Sequence, residues 1–365
     1  MNDAEESAEG PGQSHGTLYH LRGVAMISRK KQPYPISDGL RRYLDETRRE
    51  VALPIRYDDL TYYGDTVPVY DKRGRDTLWE SVLYPAHERR RIQQALVDTY
   101  ATLRVTGERA LMQHLVTDRV DVCSYGNTQP FRVRILNTLN DNFDYFYVKR
   151  ADASRVYGLE LEHILSPNRL EFMTQDDTLV EAHIAGISGD VFMRDYLEDK
   201  HFDEVRLAKE FVKFCERCFI RLLGDMHAGN FVVDITPDFD ETSYRLRAID
   251  FDQQSYEGNI RVYQPNFYIE NNPIVFLGMK CMEPATTRQY QQEERSLIRH
   301  RARTEAERLR RLLDTMRMDD LAPDDHVAEL REALRQHYRG ARAFDRCQTM
   351  GALVEASLST LNWEP

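Results

Sequence analysis

Apolar residues recur at two different spacings along this chain, and the changes between them divide it into elements. Ile92, Ala95, Leu96, Tyr100 and Leu103 fall on one stripe of a helix predicted over 86–103. An earlier helix is predicted over 37–51, with Ser37 or Asp38 as N-cap. Between them, residues 57–84 are rich in Gly, Pro, Asp and Tyr and read as irregular loops. From about 118 the spacing shortens to two. Strands are predicted over 119–125, 131–136 and 143–149, separated by the turns Gly126-Asn127 and Asn140-Asp141-Asn142, and this favours an antiparallel meander. A helix over 151–165 follows, closed by Ser166-Pro167-Asn168, then strands over 170–173 and 178–184 and the glycines of 185–189. A short helix (190–197) and a long amphipathic one (203–222) precede two more strands, 231–235 and 244–251, joined by a turn-rich segment. From about 285 to 361 the pattern is almost wholly helical, with Leu297, Ile298, Leu309, Leu312 and Leu313 expected to pack inward.

Composition narrows the class. The chain has 365 residues, 41% of them hydrophobic and 30% charged, which describes a soluble protein with a core. A net charge of −11 argues against nucleic-acid or anionic-membrane partners. The basic runs at Arg29 to Lys31, Arg89 to Arg91 and Arg308 to Arg311 read as solvated surface. No run reaches the ~18 apolar residues that span a bilayer. Met1 to Gly16 is acidic and Gly/Ser-rich, a disordered tail in composition and not a signal peptide. Five scattered cysteines imply no disulfide framework and point to a cytoplasmic home, with Cys215-x-x-Cys218 placed inside a helix where packing accounts for it.

The chemistry concentrates in Leu223-Gly224-Asp225-Met226-His227-Ala228-Gly229-Asn230, followed twenty residues after Asn230 by Asp250-Phe251-Asp252. Phosphoryl transfer needs a carboxylate to orient the acceptor hydroxyl and take its proton, and oxygen ligands that hold Mg²⁺ on the phosphates. A loop with Asp at one end and Asn five residues on supplies two of these groups. A hairpin then returns an Asp beside the Asn.

The D-x-H-x-G-N of Asp225 to Asn230 and the I-D-F of Ile249 to Phe251 resemble the active site of the aminoglycoside and choline phosphotransferase branch of the protein-kinase-like superfamily. The UbiB-type atypical kinases carry a similar loop. The resemblance implies Asp225 as catalytic base and Asn230 and Asp250 as metal ligands. It places His227 inside the loop, structuring it or touching phosphate, while Asp252 reads as a supporting or second-metal ligand or as a plain hydrogen-bonding residue. It also implies a two-lobed α+β kinase-like fold, an antiparallel small-lobe sheet with a mostly helical large lobe, binding ATP and Mg²⁺.

Upstream, the strand Asp144 to Lys149 ends on a lysine placed to reach the nucleotide phosphates. The next helix carries Glu160 and Glu162, which project about 200° apart, so at most one faces Lys149. Glu160, beside Val156 and Ile164, is the better placed. Glu181, Ala182, His183 and Ile184 resemble a hinge whose backbone would meet adenine, and Gly126 marks the first hairpin turn. The chain departs from the pattern in three places: it has no G-x-G-x-x-G loop, Leu223 stands where related loops carry His, and no A-P-E follows Asp252.

The expected organisation is a tail (1–16), a helical and irregular extension (17–117), a small lobe (118–185) and a helical large lobe (186–365). The expected activity is ATP- and Mg-dependent transfer of the γ-phosphoryl group to a hydroxyl, on a small molecule in preference to a protein. The alternatives are a pseudokinase that binds nucleotide or a partner without transfer, and a kinase-fold enzyme that transfers AMP. The extension is the candidate surface for a protein partner.

Overall fold

The computed structural model describes residues 31–104, 113–124, 128–197, 202–237 and 242–363. The tail 1–16 and the turn Gly126-Asn127 lie outside the described residues.

Helix α1 (Asp38–Glu46) starts where Ser37 caps it, Oγ accepting the Leu40 amide at 3.0 Å. It stops short of Val51 because the next residues join a sheet edge. The Val51 amide donates to the Thr174 carbonyl (3.0 Å), and the Thr174 amide to the Arg49 carbonyl (2.8 Å).

The segment read as loops is ordered instead. It forms α2 (Tyr57–Leu60) and a hairpin of β1 (Asp65–Tyr70) and β2 (Asp76–Leu83), turned through Gly74 at φ +74°. Pro68 had masked the strand, yet β1 lies at the sheet edge, where a residue without an N–H is tolerated.

After α3 (Ala86–Leu103) come β3 (Leu115–Val122), β4 (Phe131–Asn137), β5 (Phe143–Arg150), α4 (Ala153–Leu165), β6 (Phe172–Gln175) and β7 (Thr178–Ala182). The strands form one seven-stranded antiparallel sheet in the order β1-β2-β3-β4-β5-β7-β6. The hairpin of the N-terminal extension continues this sheet, through Glu80 opposite Val122 and Ser81 opposite Asp121.

Because side chains alternate across a strand, the sheet divides two cores. Val133, Phe146, Val148, Met173 and Val180 face one, together with Ile92 and Leu96 of α3. Leu179 and Phe172 face the other, together with Val156, Tyr157 and Leu161 of α4. The same period puts Tyr147, Lys149 and Glu181 on the α4 side, since Tyr147 pairs with Glu181 and Lys149 with Leu179. Every residue of α4 except His163 is buried.

The second core continues through β8 (Ile187–Ser188), α5 (Gly189–Asp195), α6 (Glu204–Ile220), β9 (Phe231–Pro237) and β10 (Thr242–Ala248), the last three strands pairing in the order β10-β9-β8. It ends in α7 (Asn272–Cys281), α8 (Pro284–Thr304), α9 (Ala306–Met318), α10 (Asp324–His337) and α11 (Met350–Ser359). The protein is thus α+β. Ile298, Leu309, Leu312 and Leu313 are buried as expected, whereas Leu297 is exposed. Among the described residues no helix is long and apolar enough to cross a membrane. Cys215 and Cys218 sit on α6 as free thiols, and burial pushes both above the ordinary thiol range.

Candidate active site

Two short ladders build the site. Past α6, Leu223 bridges Gln254, the Gly224 amide donates to the Gln253 carbonyl (3.2 Å) and the Ser255 amide to the Leu222 carbonyl (2.8 Å). On the far side, the Ile249 amide donates to the Asn230 carbonyl (3.0 Å), and Phe231 pairs with Ala248. The loop 225–230 and the turn 249–253 are therefore held facing each other between two sets of backbone bonds. Asp225 takes the left-handed conformation (φ +61°), which costs about 1 kcal/mol or more in a non-glycine residue and persists only where the surroundings enforce it. The enforcing bonds are from its amide to the Val262 carbonyl (3.1 Å), and to its carbonyl from the His227 amide (2.9 Å) and Asn230 Nδ2 (2.8 Å). His227 Nδ1 accepts the Gly229 amide (3.1 Å) and so shapes the turn into Asn230.

Gly224 is required by crowding. A Cβ there would lie 2.9 Å from Val262 Cγ1 and 3.0 Å from the Gln253 carbonyl oxygen. Gly224→Ala is expected to cost about 1–3 kcal/mol in urea unfolding, as overpacking does, and to loosen the loop beside it. A melting profile equal to the parent's would contradict that.

Across the cleft stands a chain of alternating charges. Lys149 Nζ donates to Glu181 Oε2 (3.0 Å), and Arg155 meets Glu181 through Nε and through Nη2 (2.8 Å to Oε2). Arg155 Nη1 then bridges Asp250 Oδ1 (2.9 Å) and Asp252 Oδ1 (2.7 Å). The Asp252 amide also donates to Asp250 Oδ1 (3.0 Å), fixing the turn. The arginine side chain is 1% exposed, Asp252 19% and Asp250 37%, so the chain runs from the interior to an open rim. Close approach of α4 permits this, since a Cβ on Gly158 would lie 3.0 Å from Phe251 Cβ.

Burial opposes the charge on Glu181, but Arg155 and Lys149 outweigh it and lower its pKa to about 2. Asp250 is also held below the usual carboxylate range, burial again being outweighed by Arg155 and Lys149. Asp252 moves the other way, raised by burial and by the Asp250 charge. The sign for stability follows for Glu181. A carboxylate lowered on folding stabilises the protein above its unfolded pKa, near 4.5, and loses that contribution as pH falls toward 2. Glu181→Gln should therefore flatten the acid limb of stability between those values in a pH series of urea midpoints, and an unchanged limb would refute the assignment.

The Lys149 partner differs from the sequence expectation. Glu160 points away from the cleft, accepting from the Tyr43 hydroxyl (2.7 Å), Arg49 Nε (3.0 Å) and Arg308 Nη2 (2.7 Å). Arg308, read as part of a solvated basic run, is thus tied to a buried carboxylate. Glu162 is likewise engaged elsewhere, by Arg221, the Ser166 hydroxyl (2.6 Å) and Asn168 Nδ2 (2.8 Å). Neither glutamate meets the lysine, because both are taken by arginines of other elements; Glu181 takes that part.

Of the expected hinge, Glu181 contributes its side chain to the cleft. The amides of Ala182 and His183 donate to the Glu171 (2.9 Å) and Tyr145 (3.2 Å) carbonyls, so these two N–H groups are spent in the sheet; Ile184 follows them. Gly126 lies outside the described residues. The sequence expectation does not include Arg155, whose one signal is that it is the lone arginine in the apolar helix sequence of α4, where a buried arginine demands carboxylate partners.

Beside His227 opens a cleft of about 520 Å³, lined by Asp190, Arg194, Glu270 and Pro273 among others. A second, apolar groove of about 480 Å³ between α6, α7 and α8 holds none of the groups above. For a hard cation the donors are of the right kind: the carboxylates of Asp250 and Asp252, with the amide of Asn230 nearby. Among the described residues no protein donor reaches Oδ2 of either aspartate, and no cluster of three or more His, Cys, Asp or Glu able to hold a metal occurs. The residues fit Mg²⁺ when a ligand's oxygens complete the set. Comparison with known protein families and with curated proteins found no match to this chain.

Proposed function

We propose that the chain is a phosphotransferase of protein-kinase-like fold that uses ATP and Mg²⁺ to phosphorylate a hydroxyl group. The observation that carries this reading is the pair of backbone ladders that sets Asp225 to Asn230 against Asp250 to Asp252, with the turn's two carboxylates linked through Arg155 and Glu181 to Lys149. In it, Asp250, Asp252 and Asn230 would hold Mg²⁺, which would offset the charge that spreads over the transferred phosphoryl oxygens. Asp225 orients the acceptor hydroxyl and takes its proton. Lys149, restrained by Glu181, steadies the phosphates. His227 keeps the loop in register through Gly229. The cleft beside His227 is of the size that takes a small molecule, which favours a small acceptor over a protein.

A second reading, a nucleotide-binding module without transfer, is favoured by one observation: Arg155 already engages both aspartates. One experiment separates them. Full-length protein is incubated with Mg·ATP and a panel of hydroxyl-bearing small molecules, and products are read by mass spectrometry. A phosphoryl adduct supports the first reading and an adenylyl adduct replaces it with AMP transfer. Stabilisation by Mg·ATP with no adduct favours the second, and no stabilisation and no adduct sinks both.

A further inference from the structure

We propose that Arg155 is a tethered counter-cation that makes metal entry at Asp250 and Asp252 conditional on a phosphate-bearing ligand; the inference rests on the phosphotransferase reading above. Three observations lead to it. First, one nitrogen, Nη1, lies 2.9 Å from Asp250 Oδ1 and 2.7 Å from Asp252 Oδ1, so a single positive charge already stands between the two carboxylates. Second, this charge is tethered. The side chain is 1% exposed, and its other two nitrogens are held by Glu181, itself held by Lys149. A bound cation does not displace it; it must share the aspartates with it.

Third, the donors are too few. The cluster contains two cations, Lys149 and Arg155, against three anions, Glu181, Asp250 and Asp252, leaving one negative charge for an incoming dication. No third His, Cys, Asp or Glu completes a metal site among the described residues. A phosphate group brings further oxygen ligands and the missing negative charge, whereas a bare ion meets the guanidinium's repulsion with the outer carboxylate oxygens, the Asn230 amide and its own waters to hold it. The protein therefore stays folded and closed to free metal until the nucleotide arrives. Arg155 acts through the aspartates and is a positioning residue.

The test uses Mn²⁺ on the full chain, followed by proton relaxation enhancement, which reads protein-bound ion apart from free ion and ion–nucleotide complex. In the parent protein, enhancement is expected only when a non-hydrolysable ATP analogue is present. Arg155→Gln keeps amide donors but removes the charge, and should bind Mn²⁺ alone at least tenfold more tightly than the parent. Arg155→Lys retains the charge but not the nitrogens that Glu181 holds, and should bind Mn²⁺ alone more tightly than the parent and less tightly than Arg155→Gln. Mn²⁺ affinities of parent and Arg155→Gln that agree within twofold, in the absence of nucleotide, overturn the inference. Should Arg155→Gln fail to fold by near-ultraviolet circular dichroism, the parent decides alone: enhancement by Mn²⁺ without analogue equal to that with it overturns the proposal. Absence of enhancement under both conditions removes the phosphotransferase reading itself, and this inference with it.

Discussion

If the chain is the phosphotransferase proposed above, Asp225→Asn is expected to lower phosphoryl transfer by about 10²- to 10⁴-fold, the range over which a positioned general base acts. The carboxamide has the shape of the carboxylate but cannot take the acceptor's proton. The bonds described for the loop use the backbone of Asp225 (its amide to Val262, its carbonyl from His227 and Asn230), so Asn preserves the left-handed turn, which it tolerates well. Loss should therefore fall on kcat, with ATP affinity changed less than about twofold, the pattern of a group that matters in the transition state alone. Steady-state kinetics with a titration of the ATP analogue read both quantities. Turnover within tenfold of the parent would strip Asp225 of its role.

The second large effect concerns stability. Glu160 is fully buried and holds Tyr43 and Arg49 from the N-terminal extension and Arg308 from α9. Removing one member of a buried ionic cluster leaves the others without compensation, a loss of about 3–5 kcal/mol. Glu160→Gln should therefore lower the free energy of unfolding by about that much in urea. Because Glu160 does not touch Lys149, nucleotide affinity measured below the unfolding midpoint should remain at the parent's level. A glutamate that served the lysine would show the reverse, with affinity lost and stability spared. A change below about 1 kcal/mol would place Glu160 outside the frame that holds α4.

Much of the architecture was legible because its signals are local. The helix 86–103 matches its pattern to the residue, β3 and β4 follow from alternation, and β5 from its density of aromatic and β-branched residues. The hairpin 65–83 was not legible, because Pro68 and the turn residues imitate a loop and only pairing with β3 reveals the strands. In the candidate site, the facing of 225–230 and 249–253 follows from a hairpin, which sequence order encodes. Charge pairing does not. Choosing between Glu160, Glu162 and Glu181 for Lys149 depends on where Arg49, Arg155, Arg221 and Arg308 fall, and those come from four separate parts of the chain.

The bond between Glu160 and Arg308 joins residues 148 positions apart. A ribosome that has finished α4 has therefore made only one of the two cations that hold this carboxylate, Arg49, and not yet the other. Until α9 emerges, Glu160 has Arg49 and the Tyr43 hydroxyl alone to offset its burial, so α4 docks more weakly than in the finished protein. The final share of the docking energy of α4 is thus gained only once the C-terminal helices have been made.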